Sequence, residues 1–184
     1  TALDFLRRGK LQTGDKLLIN GASGGVGTAA IQLARHFGAE VTAVCSGANR
    51  ALVESLGAQH VVDYTQQDFT RNGERYDIIM DIAGTAPFSR CQGSLKDNGR
   101  LLLVLANLPQ MLAIPWQQLS SKRIIAGPAA EKAADLRLLA QLAETGEYMP
   151  VIDRAYPFEQ IVEAHRYVDA GHKKGNVVIS LSPR

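Results

Sequence analysis

Four glycines crowd into the stretch Asn20-Gly21-Ala22-Ser23-Gly24-Gly25-Val26-Gly27. Glycines at that density let the backbone approach an anion closely, and Ser23 sets a hydroxyl among them. The apolar run Leu17-Leu18-Ile19 leads in, and a helical pattern through Ala29, Ala30, Ile31, Leu33 and Ala34 leads out. Strand, glycine turn and helix start in that order make a phosphate site, because the first helical N–H groups and the positive end of the dipole face the turn. Ser23, Gly24, Gly25, Val26 and Gly27 are therefore the candidate phosphate contacts. Written as G-x-G-x-x-G the window has Ala22 at its first position, whereas the spacing Gly21-x-x-Gly24-x-x-Gly27 is complete.

The next apolar run bears on which phosphate is bound. Dinucleotide units that take NAD place Asp or Glu about 20 residues on, where it accepts the ribose 2′-hydroxyl. Here the run ends Val44-Cys45-Ser46-Gly47-Ala48-Asn49-Arg50, without a carboxylate. Ser46 and Asn49 can donate hydrogen bonds, and the Arg50 guanidinium suits a phosphate dianion. This pattern favours NADP(H). Arg50 also fits a solvated helix start. Tyr64, just past the following strand, could lie against the adenine, reach the 2′-phosphate, or simply decorate a surface turn. Other uses of a glycine turn fail on particular residues: Gly27-Thr28 lacks the lysine of a P-loop, and none of the five tyrosines has a lysine four residues on, as short-chain dehydrogenases require.

The elements that must position these residues alternate. Short apolar runs at 17–20, 41–45, 60–63, 76–82, 101–105 and 123–126 read as six strands. They are continuous rather than alternating, as parallel strands covered on both faces are. Helical patterns fall between them, Gly38 and Gly57 close two, and Pro87 to Leu95 reads as another. The expected fold is α/β, a Rossmann-type doubly wound six-stranded parallel sheet. Residues 1–150 are read as the dinucleotide-binding domain, with 1–10 an entering helix that looks cut from something longer. Residues 151–184 form a C-terminal helix–strand appendage, expected to complete a lobe otherwise absent.

Composition narrows the class. A net charge of +2 without like-charge blocks offers no footing for nucleic acid or an acidic membrane surface. No apolar run approaches bilayer length, and no leader is recognised, so a cytoplasmic protein is expected. Cys45 and Cys91 are too few for a metal cluster or disulfide framework. His36, His60, His165 and His172 are scattered, and no general acid, base or metal ligand is nominated.

The ordered stretches Asn20 to Gly27, Gly57-Ala58, Val61-Val62-Asp63-Tyr64, Asp81-Ile82-Ala83-Gly84 and Gly171 to Val178 resemble the medium-chain dehydrogenase/reductase superfamily, its zinc-independent quinone oxidoreductase branch in particular. The resemblance implies hydride transfer from NADPH to a quinone or an α,β-unsaturated carbonyl. It implies the pyrophosphate on Gly24-Gly25-Val26, the 2′-phosphate near Ser46 and Tyr64, and the nicotinamide beside Leu105-Ala106 and Gly127. Lys174 and Asn176 stand in the late motif, where the family often reads Gly-Lys and this chain has Gly175-Asn176. A substrate lobe ahead of Thr1 is also implied. The alternative is a non-catalytic NADP-binding module or an enoyl-reductase piece of a multidomain synthase. If the sixth strand is the sheet edge, a two-fold can pair it with its copy in a homodimer.

Overall fold

The computed structural model describes residues 1–105 and 121–181. Strands β1 (Lys16–Asn20), β2 (Glu40–Cys45), β3 (His60–Asp63), β4 (Tyr76–Asp81), β5 (Leu95–Leu103) and β6 (Arg123–Ile125) form one parallel sheet in the order β3-β2-β1-β4-β5-β6. Among the described residues the helices are α1 (Ala2–Arg8), α2 (Gly25–His36), α3 (Arg50–Ser55), α4 (Phe88–Cys91), α5 (Ala133–Glu144) and α6 (Ile161–Asp169). The expected α/β class and doubly wound six-stranded sheet are observed.

Successive strand residues feed two cores, which is why the runs are apolar without a break. Leu17 and Ile19 of β1 pack on one face with Phe5, Leu6, Ile31, Leu33 and Leu142. Leu18 points the other way, into a core with Phe69, Phe88 and Cys91. The chain crosses from β3, on one side of the central β1, to β4 on the other. That reversal opens a crevice at the carboxyl ends of β1 and β4, where doubly wound sheets take their ligands.

Two expected elements are corrected. The helix read over Pro87 to Leu95 is a single turn of α4 followed by a 3₁₀ turn at Gln92–Ser94, since Leu95 is already paired with Tyr76 in the sheet. The turn read at Asp97-Asn98-Gly99 lies inside β5 as an irregularity: the register jumps from Tyr76↔Leu95 to Ile78↔Arg100, and Asn98 takes φ 62°. Strand β5 thus begins earlier than Leu101 and ends at Leu103 rather than Leu105.

The late elements form a unit of their own. Strands β7 (Ile152–Pro157) and β8 (Asn176–Ser180) pair in parallel as a separate two-stranded sheet, joined through α6. Gly175 bridges to Gly24, and the Gly175 N–H donates to the Ser23 carbonyl at 2.8 Å. Gln32 on α2 exchanges two hydrogen bonds with the Met149 backbone, at 3.0 and 2.8 Å. The loop before β8 is thereby fastened to the glycine turn. Among the described residues, no helix is long and apolar enough to cross a membrane.

Candidate functional site

A cleft of about 1250 Å³ opens at the carboxyl ends of β1, β2 and β4. Of the residues nominated from sequence, Ser23, Gly24, Gly25, Val26, Tyr64, Leu105 and Asn176 line it. Ala106 lies outside the described residues. Gly27, Ser46, Asn49, Arg50, Gly127 and Lys174 are not in its wall, and Lys173 lines it where Lys174 was nominated.

Each glycine of the complete spacing has its own physical reason. Gly21 makes the turn: its φ is +89°, and a Cβ there would sit 3.1 Å from the Ala83 nitrogen. At Gly24 a Cβ would meet only the Gly21 carbonyl oxygen, at 3.9 Å, so the face toward the cleft is open. Gly27 stands behind the turn, where a Cβ would collide with the backbone of Gly21 and Ala22. It lets α2 pack directly on the end of β1. Gly24 precedes the first turn of α2, whose N–H groups have no carbonyl a turn earlier to bind. Open space, free N–H groups and a positive helix end are what a diphosphate needs.

Beside the turn, Asn49 Nδ2 donates to Ser23 Oγ and to Ser46 Oγ, each at 3.2 Å, while Asn49 Oδ1 is buried without a partner. Arg50 is engaged locally, by Glu54 at 3.3 Å and the Val61 carbonyl at 3.4 Å. Sequence reading missed Asp63. Parallel pairing sets it opposite Cys45, so β3 brings a carboxylate to the end of β2 after all. A Cβ on Gly47 would lie 2.5 Å from Asp63 Oδ2. The Thr65 hydroxyl first, then the Thr65 and Gly47 backbone N–H groups, hold the Asp63 carboxyl below its usual range, with the Arg50 charge assisting. This carboxylate is committed to the protein.

A second missed group braces the crevice. Asp81 is fully buried and accepts from Asn20 Nδ2 at 2.8 Å, the Gly84 N–H at 3.0 Å and the Ala86 N–H at 2.9 Å. Asn20 Nδ2 also reaches Thr85 Oγ1 at 2.9 Å. The cluster fixes the loop after β4, whose Ile82, Ala83 and Thr85 line the cleft. A polar residue ending an apolar run, as both Asn20 and Asp81 do, was the available signal.

On the opposite wall, Lys173 Nζ donates to the Gly175 carbonyl at 2.7 Å. Lys174 points its backbone N–H at Asp153 Oδ2, 3.0 Å away, where the Tyr167 hydroxyl also donates at 2.6 Å. Burial works against the Asp153 charge, yet those two hydrogen bonds hold its carboxyl below the usual range. A Cβ on Gly25 would lie 2.7 Å from Asn176 Oδ1, so the two walls meet there without room to spare.

A model of zinc-binding dehydrogenases matches residues 56–179. The chain belongs to that family. It is a medium-chain dehydrogenase/reductase, of an oxidoreductase lineage. The chloroplast envelope quinone oxidoreductase homolog of Arabidopsis thaliana is 31% identical over 175 residues, covering 91% of this chain and 53% of that protein. The mitochondrial NAD(P)H oxidoreductase RTN4IP1 of Mus musculus is 31% identical over 191 residues, covering 91% and 48%. The quinone oxidoreductase structure from Coxiella burnetii superposes with a TM-score of 0.90 at 27% identity, over 99% of this chain and 57% of that one. The chain spans about half the length of the curated relatives it matches. As for the zinc in the family's name, no three His, Cys, Asp or Glu side chains among the described residues come together as a metal site would need.

Proposed function

We propose that this chain is the cofactor-binding part of an NADPH-dependent oxidoreductase that reduces a quinone or an α,β-unsaturated carbonyl. The observation that carries the reading is the open Gly24 face, set between the turn and α2 at the point where the strand order reverses. When bound, NADPH supplies the hydride. The chain's residues do the holding. The glycine turn and the first N–H groups of α2 take the diphosphate, and Ser23 presents a hydroxyl beside it. Asp81 and Asn20 keep the loop after β4 in place along the cleft. Preference for the 2′-phosphate is supported by the absence of a carboxylate at the carboxyl end of β2 and in the turn after it, and by the prior engagement of Asp63.

Titrating the intact protein with NADPH and NADH tests this directly. NADPH should bind more tightly, and Arg50→Ala should weaken it about threefold while leaving NADH unchanged, a small effect because Arg50 is half exposed and shared with Glu54. Equal or reversed affinities in the parent protein overturn the specificity. Turnover of a simple quinone or enone tests the reaction, and its absence in a protein that binds NADPH favours a binding module.

We also infer a homodimer through β6. Among the described residues that strand stands last in the sheet order, beside β5, and the outermost strand of a sheet is where a two-fold can bring two copies together. Light scattering that returns a monomer at high concentration would overturn it.

A further inference from the structure

Asn49 stands where it should cap a helix and does not. It occupies the position before α3, where its residue type normally closes the first turn, yet its side chain makes no capping bond. Ser46, placed likewise before the 3₁₀ turn at Gly47–Asn49, makes none either. The Asn49 amide instead spends both hydrogens on Ser23 Oγ and Ser46 Oγ and leaves Oδ1 buried and unpaired. Turning the amide over would bury two unpaired N–H groups in place of one carbonyl, the costlier arrangement. A forgone cap and an orphaned acceptor in one residue beside a cleft mark a side chain kept for another task.

The consequence is directional. Each serine oxygen accepts from Asn49, so each hydroxyl proton is free to point away from it. The oxygens of a phosphate dianion can only accept hydrogen bonds, whereas a ribose hydroxyl both donates and accepts. Resting on the NADP(H) reading above, we propose that Asn49 is a positioning residue that turns the Ser23 and Ser46 hydroxyls into outward donors. Through Ser46 it selects a 2′-phosphate over a 2′-hydroxyl. Ser23 serves the diphosphate that both cofactors share, so its donor strengthens both alike. One amide thereby couples the turn after β1 to the turn after β2.

The test is a double-mutant cycle read by equilibrium binding of NADPH and NADH to the intact protein, with circular dichroism to verify the fold. Asn49→Ala should lower the NADPH-to-NADH affinity ratio about tenfold, the loss of one oriented donor to a charged acceptor. In a Ser46→Ala background the same change should leave the ratio where Ser46→Ala put it. Should Asn49→Ala fail to fold, the near-isosteric Asn49→Asp takes its place: a carboxylate draws both serine protons inward, and the ratio should fall further. An unchanged ratio in Asn49→Ala, or an equal fall with and without Ser46, overturns the proposal. Failure of the unaltered protein to bind either dinucleotide, or to prefer NADPH, instead overturns the cofactor reading and takes the proposal with it.

Discussion

Two glycines two residues apart, Gly25 and Gly27, meet neighbours of opposite character. A methyl group on Gly27 would strike the backbone of Gly21 and Ala22, and backbone at a strand end cannot step aside. Gly27→Ala should therefore cost about 3 kcal/mol and lower the melting temperature clearly. A methyl on Gly25 would meet the far end of the Asn176 side chain, which can swing away at the expense of its 3.1 Å bond to the Val151 carbonyl, about 1 kcal/mol. Gly25→Ala should melt near the parent protein yet bind dinucleotide more weakly, since Asn176 leaves its place in the cleft wall. Thermal melts and binding titrations on the two variants separate these outcomes. A Gly27→Ala protein as stable as its parent would show that the tight packing of α2 on β1 is not needed.

At the scale of elements, whatever rested on one run of sequence was legible. The six strands, the turn between β1 and α2 and the class of sheet all follow from continuous apolar runs and the glycines between them. What depended on register was not. Asp63 lies eighteen residues beyond Cys45, and only the parallel pairing of β2 with β3 brings its carboxylate to the turn at Gly47. The helix read over Pro87 to Leu95 failed for a related reason. Its apolar spacing was real, but Gly93 weakens a helix there, and pairing of Leu95 with Tyr76 claims the chain after one turn. The jump in register that follows, with Asn98 at positive φ, fits a stretch that looked like a turn into a strand. Asn49 was nominated as a donor for what its side chain carries. Which partners take its two hydrogens depends on β1 and β2 ending side by side, and that is a property of the sheet.

Over the whole molecule, protonation bounds stability from both sides. Among the described residues five carboxyls sit below their usual range: Asp63 through Thr65, Asp68 through the Thr70 N–H, Glu147 through His36, Asp77 against the cost of burial through Lys96 and the Lys16 N–H, and Asp153 likewise through Tyr167. A carboxyl with a depressed folded pKa stabilises the fold above its unfolded value, about 4, and loses that contribution as pH falls through the folded value. Cys91 runs the other way. Burial, helped by the Asp81 charge, pushes its thiol up to about 12. The unfolded thiol ionises near pH 8.5, so this contribution is complete below that pH and is lost as pH rises toward the folded value. Melting temperature should thus be level between about pH 5 and 8 and fall on either side. The flanks are separable, because Asp77 lies at the start of β4 and Cys91 at the end of α4. Asp77→Asn should flatten the acid limb while lowering the plateau, since Lys96 and the Lys16 N–H lose a charged partner. Cys91→Ala should flatten the alkaline limb and leave the acid limb as it was. Scanning calorimetry across the pH range checks all three, and a melting temperature that climbs below pH 4 would contradict the direction assigned to the carboxyls.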